Sequence, residues 1–370
     1  MGQGLATGFR TIGLPSFPQR EEKATMRTLV FAESGRPLRA EDRPVPLPEP
    51  GDLIVKVAYC GICGSDVHAT DPGPFQIATG TVLGHEFSGQ VVESRAAGFA
   101  AGDRVIGIPV RPCDPCRAES GECRDGMGIR CPNARVVGMS PGIPGGYAEF
   151  VRIGARQVLK VPDGVDDRSA ALAEPLAVGA HAVRAAGPLL GRRVLVIGAG
   201  PIGNATSLFA NAAGARDVVV SELDPTRRAR AGRLGATAVV DPGAEPLDRA
   251  FAALTGGPPE VIFECVGAAG LIQHCVELAA PTGTIVIVGV CRVEDRMFPR
   301  RAITKELRLQ FVLGYVPDDF ALALDLLRSG RFDADAMVSD IVSFAELPPL
   351  FEALRCPNPH GKVLLDPTRQ

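Results

Sequence analysis

The chain has 370 residues, 46% of them hydrophobic and 22% charged, and a formal net charge of −3 at pH 7. That balance excludes a disordered chain, and with no basic block it gives no electrostatic support for binding nucleic acid or an anionic membrane. The length favours two domains over one.

The first residues, up to Arg20, include arginine but no acid, a faint likeness to a transit peptide, and they lack the apolar core of a secretory signal. Met1–Thr25 therefore reads as a mobile extension. Without an export signal, the ten cysteines point to metal sites in a cytoplasmic protein more than to disulfides. "MRTLVF" at Met26 opens the first strand, and a strand-rich pattern runs on to about Leu159 through "LIVKVAYC" (53–60), "SGQVVE" (88–93) and "DRVIGIPV" (103–110).

Within that stretch, "CGICGSDVH" (60–68) carries Cys60, Cys63, Ser65, Asp66 and His68, and "VLGHEFSG" (82–89) carries His85 and Glu86. A thiolate and an imidazole some twenty residues apart can meet on adjacent strands and bind zinc, and catalysis then needs a third ligand and an open position. Taken singly, His85 could be a hydrogen-bonded core histidine and Cys60-x-x-Cys63 a redox pair. "CDPCRAESGECRDGMGIRC" (113–131) holds Cys113, Cys116, Cys123 and Cys131 with spacing C-x2-C-x6-C-x7-C. Four thiolates can close tetrahedrally around a structural zinc with no vacancy for substrate; free thiols or a disulfide are the alternative. "LAEPLAVGAH" (172–181) then offers Glu174.

From about Pro175 short apolar runs alternate with helical segments. "RVLVIGAG" (193–200), "DVVVSE" (217–222), "TAVVD" (237–241), "EVIFECVG" (260–267) and "GTIVIVGV" (283–290) read as five strands buried on both faces of a doubly wound parallel sheet, an α/β architecture. The uncharged window 194–215 is long enough for a membrane helix, but its Gly-x-Gly-Pro turn and two asparagines favour strand, turn and helix. That turn is Gly198-x-Gly200-Pro201-Ile202-Gly203, at the head of a helix whose N-terminus would face a pyrophosphate. Glu222, nineteen residues beyond Gly203, is placed to accept from both ribose hydroxyls. A carboxylate there repels a 2′-phosphate, so NAD is favoured over NADP, although Arg227 and Arg228 lie close by. Two helices and a closing strand, "GKVLLD" (361–366), follow about Val316.

With "CGICGSDVH", "GHE", the four-cysteine lobe, "EPLAVGAH", "GAGPIG", "ECVG" and "GKVLLDP" in this order, the chain resembles the zinc-dependent medium-chain alcohol dehydrogenases, in particular the sorbitol, butanediol and threonine dehydrogenase branch, over roughly residues 26–367. The resemblance implies a strand-rich GroES-like catalytic domain (26–175), a Rossmann domain (176–315) and a C-terminal return to the catalytic domain (316–370). It implies two zincs per subunit, NAD, a small alcohol or ketone substrate and a homodimer or homotetramer. Cys63 and His85 would bind the catalytic zinc, Glu174 would stand at the third ligand position, Glu86 would adjoin the metal, and either glutamate could be held off it by water. Asp66 would orient His85, while Ser65 would take the substrate's hydroxyl proton and pass it on towards His68 and solvent. Val266 and Gly267 would pass under the cofactor, and Val288, Gly289 and Val290 would meet its nicotinamide end. The lobe departs from the family's C-x2-C-x2-C-x7-C spacing by four residues, "RAES", which a loop can absorb. Where sorbitol dehydrogenases carry an arginine before a tyrosine, "FVLGYVP" has Gly314 before Tyr315, which favours a less polar secondary alcohol or vicinal diol over sorbitol. The rivals are a zinc-free quinone or enoyl reductase of the same fold, and a non-enzymatic zinc or thiol module. Metal content separates them.

Overall fold

The structure, a computed structural model, describes residues 24–73, 75–111, 129, 131 and 133–369. Most of the expected N-terminal extension, and Cys113, Cys116 and Cys123 of the lobe, lie outside the described residues.

One sheet is built around the long strand Asp52–Gly61, in which Leu53, Val55 and Val57 are buried while Lys56 is exposed. Glu86–Ser94 pairs with it antiparallel, followed by Arg104–Gly107 and Val158–Lys160, and Phe150–Gly154 also pairs with Asp52–Gly61. Far along the chain, Lys362–Leu365 returns to pair with the same strand, and Val338–Val342 joins beyond it. The register sets Gly61 opposite both Glu86 and Leu364, so three segments remote in sequence meet at one end of this sheet.

A second sheet has six parallel strands in the order Ala238–Val240, Asp217–Ser221, Arg193–Ile197, Val261–Glu264, Thr284–Ile287, Arg308–Phe311. Strand order reverses beside Arg193–Ile197, the switch point at which such sheets bind nucleotides. The helix Ala173–Ala186, buried along most of its length, packs on Pro201–Ala212 and on Pro317–Arg328 and links the two halves.

One sequence expectation needs correction. Ala238–Val240 is partly exposed because it closes one edge of the sheet, so only four of the five expected strands are buried on both faces. Thr284–Ile287 lies inside the sheet; Arg308–Phe311 closes the other edge, and its mixed sequence, RLQF, suits a strand with one open side. The apolar window 194–215 folds as strand and helix, and among the described residues no helix is long and apolar enough to cross a membrane.

Candidate active site

Cys63 stands immediately before the short helix Gly64–Ala69, its backbone extended at φ −95°, ψ 148°, and its N–H donates to Asp66 Oδ2 at 3.2 Å. Asp66 is completely buried. The same Oδ2 accepts the Tyr147 hydroxyl at 2.7 Å, while Oδ1 lies 3.1 Å from His85 Nδ1. Burial opposes ionisation of Asp66, but His85, Tyr147 and the Cys63 N–H outweigh it and hold the carboxyl below its ordinary range. With Nδ1 engaged by Asp66, Nε2 is the nitrogen left for a metal, and it lies 3.5 Å from Ser65 Oγ.

Glu86 is also fully buried, and both its oxygens accept from Lys362 Nζ, at 2.6 and 2.7 Å. Lys362 donates as well to the Ile62 carbonyl at 3.1 Å. Gly61 is obligatory beside them, since a Cβ there would stand 2.1 Å from Glu86 Oε2. Ligand atoms of Cys63, His85 and Glu86 all lie within 4.8 Å of one another. Glu174 is outside that tight group but close to it: burial and then the charge of Glu86 push its carboxyl up to about 7, against His85, Lys362 and a hydrogen bond from Tyr315. Two buried carboxylates, a thiol and an oriented imidazole with a single lysine among them form a donor set that a divalent cation fits. Cys60, 0% exposed, packs behind Gly84 and Gly146, and burial followed by the charges of Asp66 and Glu86 raises its thiol well above the ordinary value. That makes Cys60 a packing thiol rather than a redox partner.

His68 is half exposed, and its Nδ1 accepts from Arg292 Nη1 at 3.0 Å. Of the lobe, Cys131 is buried, with its sulfur accepting the Asn133 N–H at 3.3 Å.

At the nucleotide turn, strand Arg193–Ile197 runs through Gly198 to Gly200, which precedes the helix Pro201–Ala212 with Pro201 and Ile202 in its first turn. A Cβ on Gly203 would lie 1.9 Å from the Gly198 carbonyl oxygen, whereas one on Gly200 would meet nothing within 4 Å. The turn is closed on the protein side and open above Gly200, as an approaching pyrophosphate needs. Glu222 follows strand Asp217–Ser221 and braces this turn, Oε2 accepting the Ala199 N–H at 2.8 Å and Oε1 the Asp224 N–H at 3.0 Å. Arg228 bonds the carbonyls of Glu222 and Leu223 and pairs with Asp241, and Arg227 reaches Asn358. Buried Glu264 accepts the N–H groups of Val266 and Gly267, and the backbone of Gly267 crosses that of Gly289 and Val290. Val288 donates its N–H to the Glu264 carbonyl at 2.9 Å, and the side chains of Val266 and Val290 are exposed.

Lys362, Tyr147 and Arg292 were not legible as site residues. Lys362 carried only the faint signal of a lone charge at the head of an apolar run, "KVLL", and the other two had none.

Residues 49–163 match the family described as alcohol dehydrogenase GroES-like domain, and residues 201–329 match the zinc-binding dehydrogenase family. The chain is similar to an L-galactonate-5-dehydrogenase of Escherichia coli, 32% identical over 89% of this chain and 95% of that one. Among solved structures, it is similar to a zinc-binding dehydrogenase of Sinorhizobium meliloti bound to NADP (32% identity, TM-score 0.84, covering 93% of this chain and all of that one). It is similar also to the 2R,3R-butanediol dehydrogenase of Bacillus subtilis (31% identity, TM-score 0.83, with the same coverage).

Proposed function

Because the chain belongs to the zinc-dependent medium-chain alcohol dehydrogenase family, and is an oxidoreductase acting on CH–OH donors, we propose that it moves hydride between NAD and a secondary alcohol, vicinal diol or polyol and the matching ketone. The observation that carries this reading is the close group of half-buried Cys63 with buried His85 and Glu86, and Glu174 beside it, in a molecule that also has the nucleotide turn.

Cys63, His85 and Glu174 hold the catalytic zinc in this reading. Glu86 is kept back because Lys362 already occupies both its oxygens, whereas among the described residues no cation is in hydrogen-bond contact with Glu174. When bound, zinc acidifies a hydroxyl brought to it and the nicotinamide accepts hydride. The protein's own part is to orient and to move a proton. Asp66 fixes the His85 ring, Ser65 Oγ takes the hydroxyl proton, and half-exposed His68 delivers it to solvent. The second zinc of this reading rests on the sequence spacing of Cys113, Cys116, Cys123 and Cys131 alone.

NAD is preferred over NADP. The Glu222 carboxylate stands at the turn, the guanidinium of Arg228 is engaged by carbonyls and by Asp241, and Arg227 is tied to Asn358 through Nη2. Gly314 offers no side-chain donor to a polyol, and the Tyr315 hydroxyl is taken by Glu174, which points to a substrate poorer in hydroxyls than sorbitol. The butanediol dehydrogenase among the relatives is in keeping with that. Phe311 on the edge strand, with Leu313, Ile303 and Phe298 nearby, is largely exposed and fits pairing with a second copy as a dimer or half of a tetramer. Cys60, Cys63, Cys265, Cys275, Cys291 and Cys356 are thiols, which suits a reducing cytoplasm.

The test is formation of reduced nicotinamide by zinc-loaded protein, with NAD and with NADP, across primary and secondary alcohols, vicinal diols, sorbitol and threonine. Turnover with NAD on secondary alcohols or diols, at two zincs per chain, is expected. Silence across the panel at full zinc overturns the substrate class, and one zinc or none overturns the metal assignment.

A further inference from the structure

Arg292 follows strand Thr284–Ile287 on the nucleotide side, and His68 and Asp71 lie at the end of the helix Gly64–Ala69 on the catalytic side. One guanidinium nitrogen spans the gap: Arg292 Nη1 is 3.0 Å from His68 Nδ1 and 2.5 Å from Asp71 Oδ2. The other Asp71 oxygen accepts from Arg355 Nη1 at 2.7 Å, and Arg355 is itself anchored to Thr70 Oγ1, the Val67 carbonyl and Glu352. Asp71 is thus held firmly from its own side, and Arg292 is the piece that crosses.

Guanidinium only donates. Nδ1 of His68 must therefore be accepting, which makes the ring neutral with its hydrogen on Nε2. A proton arriving at Nδ1 would set N–H against N–H, so the Arg292 bond to the ring breaks as the new N–H bond forms, while Arg292 keeps Asp71. Loss of that same proton to water restores the bond.

We infer that Arg292 is a positioning residue for proton release: it ties the nucleotide side to the catalytic side through His68 and keeps that imidazole in the neutral form that can receive a proton. The inference rests on the reading of His68 as the exit of the proton path. Among the described residues, the charged groups facing His68 are Arg292, Asp71 and Arg355. Burial, then Arg292, and then Arg355 against the opposing Asp71, hold the imidazole below its ordinary range, so His68 stays neutral to lower pH than a free histidine.

Two readouts test this on the zinc-loaded full-length protein: the pH dependence of kcat for alcohol oxidation, and the NMR titration of the His68 ring, assigned by its loss in His68→Ala. In Arg292→Ala, Asp71 is left 3.9 Å from Nδ1 without its crossing partner. The ring titration and the acid limb of kcat should then both move up by roughly 1 pH unit, whereas Arg292→Lys, which keeps the cation, should show little of that shift. In a His68→Ala background, Arg292→Ala should leave the limb where His68→Ala alone puts it. A limb that moves in His68→Ala but not in Arg292→Ala overturns the role of Arg292 alone, as does an Arg292→Ala shift that persists without His68. A limb that ignores His68→Ala overturns the proton path itself.

Discussion

The metal end and the nucleotide end of this molecule hold their geometry by opposite means. At the metal end, side chains do the holding: Asp66 grips His85, Tyr147 and the Cys63 backbone, and Lys362 grips Glu86, all at 5% exposure or below except for Cys63 itself. At the nucleotide end the backbone holds itself, with Gly203 pressed onto Gly198 and Gly267 crossing Gly289 and Val290, and one carboxylate, Glu222, as brace. The first arrangement concentrates buried charge and should fail through electrostatics. The second removes Cβ atoms and should fail through sterics.

The largest effect should come from Lys362→Met. It strips the cation from Glu86, whose carboxylate is 0% exposed, and breaking a buried pair on one side costs about 3–5 kcal/mol. Urea unfolding of the zinc-loaded protein should show that loss, and Lys362→Met with Glu86→Gln should recover part of it because no lone charge is left. If the double variant is no more stable than the single one, the cost lies in lost packing rather than in the orphaned carboxylate.

Gly203→Ala attacks the other end. Its Cβ would lie 1.9 Å from the Gly198 oxygen, so the turn has to open, at roughly 1–3 kcal/mol for overpacking. Because the displaced atoms are those that face the pyrophosphate, cofactor affinity measured by calorimetry should fall about 10- to 100-fold while zinc content is unchanged. A variant that binds NAD normally would mean that the turn has slack the geometry does not show.

The same contrast decides what the amino-acid order could reveal. Gly198 through Gly203 form a local pattern between a strand and a helix, with Glu222 just after the next strand, so the nucleotide turn was legible, as were the two motifs whose Cys63 and His85 the fold brings together. The groups that hold those two residues in place were not. Lys362 meets Glu86 across 276 positions, Tyr147 meets Asp66 across 81 and Arg292 meets His68 across 224, and no periodicity encodes such meetings. The strands Arg308–Phe311 and Val338–Val342 escaped for a related reason. Neither is buried on both faces, so neither has the branched apolar run that announced the four central strands.

The smallest effect should be the most diagnostic for the metal end. Tyr147→Phe removes one hydroxyl from a fully buried ring and leaves its shape intact. Asp66 Oδ2 then keeps only the Cys63 N–H at 3.2 Å, and a lost bond to a charged group costs about 1.5 kcal/mol. With less support for its ionised form, Asp66 should hold the His85 ring less firmly. Zinc affinity, measured by competition with a chromophoric chelator, should drop roughly 10-fold, at the low end for a group behind a metal ligand. Cofactor affinity should not change, because no atom of Tyr147 bears on the glycine turn. Equal losses in zinc and cofactor binding would mean that the two ends are coupled through the sheet rather than built independently. No loss in either would mean that the Cys63 N–H alone suffices to hold Asp66, and with it the orientation of His85.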